Sequence, residues 1–297
     1  MAHQDVIFPH ASSGELPIVR SIGFADLVDA LKKGLDDFRA MPTHVIFICL
    51  LYPIVGLALG RVTFGYNIIP LFYPLAAGFA LVGPIAAIGL YELSRRRELG
   101  LDTSWSHAFD VIYSPSFGAI VALGLVLMII FGVWIAVAHA IYIANFGYQE
   151  PTSLIGFASD VLTTPHGHNL IIVGNLVGFV FAVISMALSV VSFPLLLDRN
   201  VGVTAAALTS VRAVIKNPIT MAAWGLIVAT LLLIGSLPLF FGLAIVMPIL
   251  GHSTWHLYGK LVEADEHERL EYQPRARRER YAADFPAALF PWGRKQR

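Results

Sequence analysis

From Phe117 to Phe146 the chain runs thirty residues without an Asp, Glu, Lys or Arg. A helix rises ~1.5 Å per residue, so about 20 apolar residues cross the ~30 Å hydrocarbon core of a bilayer. Similar uncharged runs occupy 44–60, 68–91 and 170–197, and a fifth, 219–258, is too long for one crossing. Gly235-Ser236-Leu237-Pro238 is a tight break inside it, which divides it into 219–236 and 238–258. The expected fold is therefore all-α: a polytopic helical membrane protein with six transmembrane helices arranged as three hairpins, accompanied by amphipathic interfacial helices. Residues 1–22 form an N-terminal cytoplasmic arm, 23–262 the membrane domain and 263–297 a cytoplasmic tail.

Composition agrees. Of 297 residues 57% are hydrophobic and 13% charged, with a mean hydropathy of +0.71. A soluble domain carries about 25% charged residues. Net charge is zero, so nothing attracts the chain to nucleic acid as a whole. The single cysteine, Cys49, sits in an apolar run, which excludes an internal disulfide, a cysteine zinc site and a cysteine-ligated iron–sulfur cluster. The first forty residues are polar and rich in Asp, unlike a cleavable signal peptide.

Lys and Arg in the loops set orientation. Arg20, Lys32, Lys33 and Arg39 precede the first run; Arg95, Arg96 and Arg97 follow the second; Arg199, Arg212 and Lys216 follow the fourth. More follow from Lys260 onward, whereas the opposite side holds only Arg61. Both termini are expected in the cytoplasm of a bacterial cell, with the chain in the inner membrane.

An amphipathic segment ending in proline precedes spans one, three and five. Phe24, Leu27, Val28, Leu31, Leu35 and Phe38 form one stripe, with Asp26, Asp29, Lys33, Asp36 and Asp37 off it, before Pro42. Trp105, Phe109 and Ile112 precede Pro115, and Leu208, Val211 and Ile215 precede Pro218. Such stripes suit helices lying at the membrane surface. The even spans carry Pro84, Pro194 and Pro248, candidates for kinks or gates, and the three units suggest an internal repeat. Gly56 with Gly60 and Gly174 with Gly178 are small-residue pairs suited to helix packing. Asn175 is expected to make an interhelical hydrogen bond.

No acidic or basic side chain lies within the six spans, which weighs against a driven transporter, since coupling sites need such groups. His252 and His256, at i and i+4, share a helix face with each other and a level with His44. They are weak candidates for haem or metal. The zinc-hydrolase pattern needs a glutamate beside the first histidine, and Ser253 stands there. Trp255, Tyr258 and Lys260 instead suit an interfacial belt, and interface and packing is the favoured role. His139, with His166 and His168 in the loop 147–169, is a weak candidate metal set; the plainer alternative is a solvated loop. The same loop contains an apolar piece, 154–162, suited to a surface helix. Asp102, Asp110 and Asp198 flank spans without a visible pairing, and no nucleophile, phosphate or dinucleotide motif occurs. In the tail, Phe285, Leu289, Phe290 and Trp292 suit docking on a partner or on the membrane.

"SFPLLLDRNVG", "SVRAVIKNP" and "VMPILGHSTWHLYGKLV" resemble a family of bacterial six-span inner-membrane proteins, domain of unknown function 2189. The resemblance runs from Gly23 to Val262, strongest from Phe193, and implies no reaction. The expectation is a non-enzymatic accessory, scaffold or assembly subunit of a larger membrane complex, a respiratory one among the candidates. Its partners are the bilayer and other membrane-protein subunits, and no cofactor is expected. The alternatives are a transporter or channel for a neutral or apolar solute, and a haem- or metal-binding membrane protein.

Overall fold

The structure, a computed structural model, describes residues 16–41, 56–57, 60, 69–148, 151, 153–238 and 242–264. His44, most of the first expected span, and Phe285, Leu289, Phe290 and Trp292 lie outside the described residues. Regular structure among the described residues is helical: α1 Phe24–Ala40, α2 Phe72–Phe79, α3 Gly83–Ala86, α4 Ile88–Glu98, α5 Phe117–Phe146, α6 Leu154–Thr163, α7 Pro165–Ser189, α8 Ser192–Asp198, α9 Val203–Lys216, α10 Pro218–Ser236 and α11 Leu243–Leu261. Trp105–Tyr113 forms a 3₁₀ segment. The exception is a single antiparallel bridge between Val19 and Val262.

Four segments among the described residues are long and apolar enough to cross a membrane: Ile69–Glu98, Phe117–Phe146, Pro165–Asp198 and Pro218–Ser236. The outer faces of α5, α7 and α10 present Leu125, Ile129, Leu176, Leu226 and Leu233. The deeply buried residues instead gather at one end, around Leu93, Phe193, Leu196, Trp255 and Leu257. An apolar exterior over the long helices is what a hydrocarbon solvent selects. The chain is an integral membrane protein with several apolar helices in contact with lipid.

Span boundaries shift where caps decide them. Thr164 accepts a hydrogen bond from Gly167 N at 3.0 Å, with Pro165 at the first helical position. The helix therefore starts at Pro165, and His166 and His168 lie on its first turn, not in a loop. At the other end, α11 has an apolar first half and a second half rich in His, Ser and Thr. This half is not a plain apolar crossing; it is sheathed by α1 and α4, and His252, Ser253, Trp255 and Leu257 are buried there.

The prolines differ. Pro84 opens α3 just after the 3₁₀ turn Ala80–Val82. Pro194 lies in α8, beyond a break at Val190–Val191. That break is stitched by α9: Ser210 Oγ accepts from Val191 N at 3.1 Å, and Ser192 Oγ lies 2.5 Å from Leu188 O and 3.1 Å from Ala206 O. α11 passes through Pro248 uninterrupted, so no gate-like break exists there.

Candidate functional site

The charged and polar residues gather at the end of the bundle where α1, α4, α8, α9 and α11 meet. The sequence places Asp37 on the polar side of α1, but the helix turns Leu27, Ala30, Gly34 and Asp37 inward against α11 and leaves Phe24 and Val28 exposed. This corrects the expected stripe: α1 docks through its small residues, and only part of its apolar stripe is free to meet a membrane surface. Gly34 makes the approach possible. A Cβ there would stand 2.6 Å from Ser253 N and 2.8 Å from Ser253 Cα, closer still to Ser253 Oγ.

That close crossing delivers Asp37, only 4% exposed, to the two histidines of α11. Asp37 Oδ2 accepts from Ser94 Oγ at 2.6 Å and lies 2.9 Å from His256 Nε2, while Oδ1 pairs with Arg97. His256 Nδ1 faces Glu98 Oε1 at 3.3 Å. With a carboxylate at each ring nitrogen, both nitrogens donate and the ring is an imidazolium. His252 Nδ1 lies 2.6 Å from Ser94 Oγ. The His252 ring is thus held between Ser94 and the backbone of Leu90. Burial pushes the Asp37 carboxyl up, but the hydrogen bonds from His256 and Ser94 outweigh it and hold the group below the ordinary carboxylate range.

A second group lies on the other side of α4. Glu92, fully buried, takes Arg95 Nε at 2.8 Å, and Arg96 reaches Asp110 at 3.3 Å. His107 is bracketed by Asp110 at 2.6 Å and Asp102 at 3.0 Å, so the two aspartates that look unrelated in sequence share one imidazole. Ser104, then His107, hold Asp102 below its usual value. Arg95 and Arg96 are thus buried partners and not loop charges in water.

A third group fastens the N-terminal arm. Asn217 Oδ1 accepts from Ile22 N at 2.8 Å, and Lys216 Nζ donates to Val19 O at 2.7 Å. Arg20 N donates to Leu261 O at 2.7 Å, and Glu263 N to Ile18 O at 2.9 Å. Beside it, Tyr258 donates to Asp198 at 2.7 Å and Arg199 to Glu263 O. Near the surface Lys260 bridges to Asp29 at 2.8 Å, an exposed pair that raises Lys260 and lowers Asp29.

Among the described residues these groups bind one another. Ser94 and His252 are a hydroxyl–imidazole pair, but His252 is fully buried and the same hydroxyl also lies 2.6 Å from Asp37 Oδ2. Among the described residues no set of three or more His, Cys, Asp or Glu has metal-holding geometry. His252 and His256 point at a shared carboxylate and serine. His139, His166 and His168 are exposed and separate; His139 stacks on Tyr142, and His168 Nε2 reaches Leu162 O at 2.8 Å.

The packing candidates divide. Gly178 seats the Trp134 indole, 3.0 Å from where its Cβ would be, and Gly78 of α2 faces the same ring at 2.6 Å. Trp134 Nε1 donates to Pro74 O at 2.9 Å, tying α5 to α2. Gly174 has nothing within 4 Å and seats no neighbour. Gly60 faces Phe72, and Gly56 lines the cleft between helices. Asn175 accepts from Tyr73 OH at 2.8 Å, an α2–α7 hydrogen bond.

Apolar-faced helices closed by a polar end define an integral membrane protein of several helices. Residues 72–198 match domain of unknown function 2189, described as a predicted integral membrane protein. The match runs from α2 to the end of α8; most of the stretch from Phe193 to Val262 lies beyond it. No curated protein and no solved structure matches the chain.

Proposed function

We propose that this chain is a six-span protein of the bacterial inner membrane, without catalytic activity, that serves as an accessory, scaffold or assembly subunit of a larger membrane complex. The first span is 44–60 and the sixth is 238–258, which takes in most of α11 and whose polar half would cross sheathed by α1 and α4; polar groups at membrane depth are tolerated where protein surrounds them. Both termini lie in the cytoplasm, and the tail residues Phe285, Leu289, Phe290 and Trp292 dock on a partner or on the membrane. The observation that carries the reading is the mutual pairing of the charges at the polar end, most of them buried. Asp37, Arg97, His256, Glu98, Glu92, Arg95, Arg96 and Asp110 join distant segments of the chain into one platform. Paired groups of this kind position helices.

Extraction of the tagged protein from native membranes in mild detergent, followed by a native gel and mass spectrometry, tests this. A stoichiometric partner complex is expected; an isolated homo-oligomer overturns it. The reading needs no cofactor, and a Soret band would redirect attention to His44, His252 and His256. A second reading, carriage of a neutral or apolar solute, draws on the apolar cleft between the helices. Liposome flux tests it.

A further inference from the structure

We propose that the cleft between α2–α4, α7, α10 and α11 holds one acyl chain of a bilayer phospholipid, with its ester carbonyl at Ser185. The inference rests on the membrane reading alone and is independent of the accessory role.

The cleft has a volume of about 660 Å³, within the range of small-molecule sites. It is long and narrow. Both Pro218 and Ser236 line it, so it follows the whole of α10, about 27 Å at the helical rise. Its described lining contains no Asp, Glu, Lys, Arg or His. A slot of this kind among spanning helices does not attract water or an ion; the surrounding solvent that fits it is hydrocarbon.

The lining hydroxyls show where a polar atom belongs. Ser189 donates to Ser185 O at 2.6 Å, Ser236 to Leu232 O at 2.8 Å and Thr254 to Leu250 O at 2.7 Å, each spent on its own helix. Ser185 is different: it is 3% exposed, and its hydroxyl has no hydrogen-bond partner. A buried hydroxyl without a partner is costly, and a ligand oxygen removes that cost. Ser185 lies in the last turn of α7, at the end where the polar layer begins. A phospholipid chain entering from that end carries its ester carbonyl at this level and its methylenes along α10.

The test uses the full chain in vesicles of phosphatidylethanolamine and phosphatidylglycerol. A trace of phosphatidylcholine carrying a photoactivatable diazirine in one acyl chain is added, and adducts are mapped by mass spectrometry. The expected result is labelling of Met186, Ala222 and Met247 above the level at the lipid-facing Leu125 and Ile129. Ala182→Phe and Ala229→Phe, on different helices, fill the slot and abolish the excess while sparing Leu125 and Ile129, which also reports an intact fold. Ser185→Ala lowers cleft labelling by the phospholipid about fivefold and leaves labelling by a diazirine alkane unchanged. Cleft adducts no more frequent than those at Leu125, or unaffected by both filling variants, overturn the site. Equal loss or equal retention of the two probes in Ser185→Ala overturns the ester assignment. A partnerless protein on a native gel removes the accessory reading and leaves this one standing.

Discussion

Replacing Gly34 by alanine adds one methyl group at the α1–α11 crossing. That carbon would sit 2.6 Å from Ser253 N and 2.8 Å from Ser253 Cα. Ordinary carbon contacts lie at about 3.5–4.0 Å, so α1 must retreat by about 1 Å. The His256–Asp37 contact, now 2.9 Å, would open beyond hydrogen-bond range. Overpacking costs about 1–3 kcal/mol, and a buried polar group left unpaired costs a similar amount, giving about 2–6 kcal/mol together. Gly23→Ala supplies the control, because nothing lies within 4 Å of that position. Ser253→Gly in the Gly34→Ala background does not rescue, since the obstruction includes backbone. Thermal unfolding in detergent, followed by size-exclusion chromatography, reads the effect. Gly34→Ala is expected to lose the monodisperse peak at a lower temperature than wild type and Gly23→Ala. Gly34→Ala melting with wild type would refute the close crossing.

Two further outcomes follow from the polar layer. Asp37→Asn removes the charge shared by His256 and Arg97 and is expected to cost about 3–5 kcal/mol, as breaking a buried ion pair does, whereas Lys260→Ala, at an exposed pair, changes stability by about 1 kcal/mol or less. Because the folded pKa of Asp37 is depressed, its contribution is complete above the ordinary value of 3.8 and is lost as pH falls through the lowered one; detergent melts from pH 7 to pH 3 should show less acid loss in Asp37→Asn than in wild type. Ser210→Ala strands Val191 N at the α7–α8 break and should cost about 1–3 kcal/mol in the same melt, with a neutral result showing that the break has another partner.

The long apolar runs predict α5 with its bounds and α10 to within one residue, because a bilayer-length stretch without charge has few alternatives. The apolar piece 154–162 becomes α6, and the segment before span five becomes α9. The polar layer was not legible. Asp37 lies 219 residues from His256, and the apolar stripe of α1 only partly coincides with the face that docks: Leu27 is buried there, whereas Phe24 and Val28 stay exposed. Periodicity marks hydrophobic faces; a helix that docks through Ala30, Gly34 and Asp37 leaves only a small-residue ridge as a sign. The HxxxH pair lacks a neighbouring carboxylate in sequence, yet folding supplies Asp37 and Glu98 from two other helices. The extension of α4 past Tyr91 was hidden for the same reason: Arg95, Arg96 and Arg97 read as loop charges until their partners Glu92, Asp110 and Asp37 come into place.

The N-terminal arm folded over the end of α11 is the keystone of this arrangement, and one cross-link tests it. Val19 and Val262 face each other with flanking hydrogen bonds from Arg20 N to Leu261 O and from Glu263 N to Ile18 O. That pattern is the non-hydrogen-bonded antiparallel pair, with Cα atoms ~4.5 Å apart, inside the range a disulfide spans. In native membranes, Val19→Cys with Val262→Cys in a Cys49→Ser background should oxidise to an intramolecular disulfide and resist alkylation by maleimide until reduced. Two freely alkylated thiols, or disulfide-linked dimers only, would contradict the fold of the polar end.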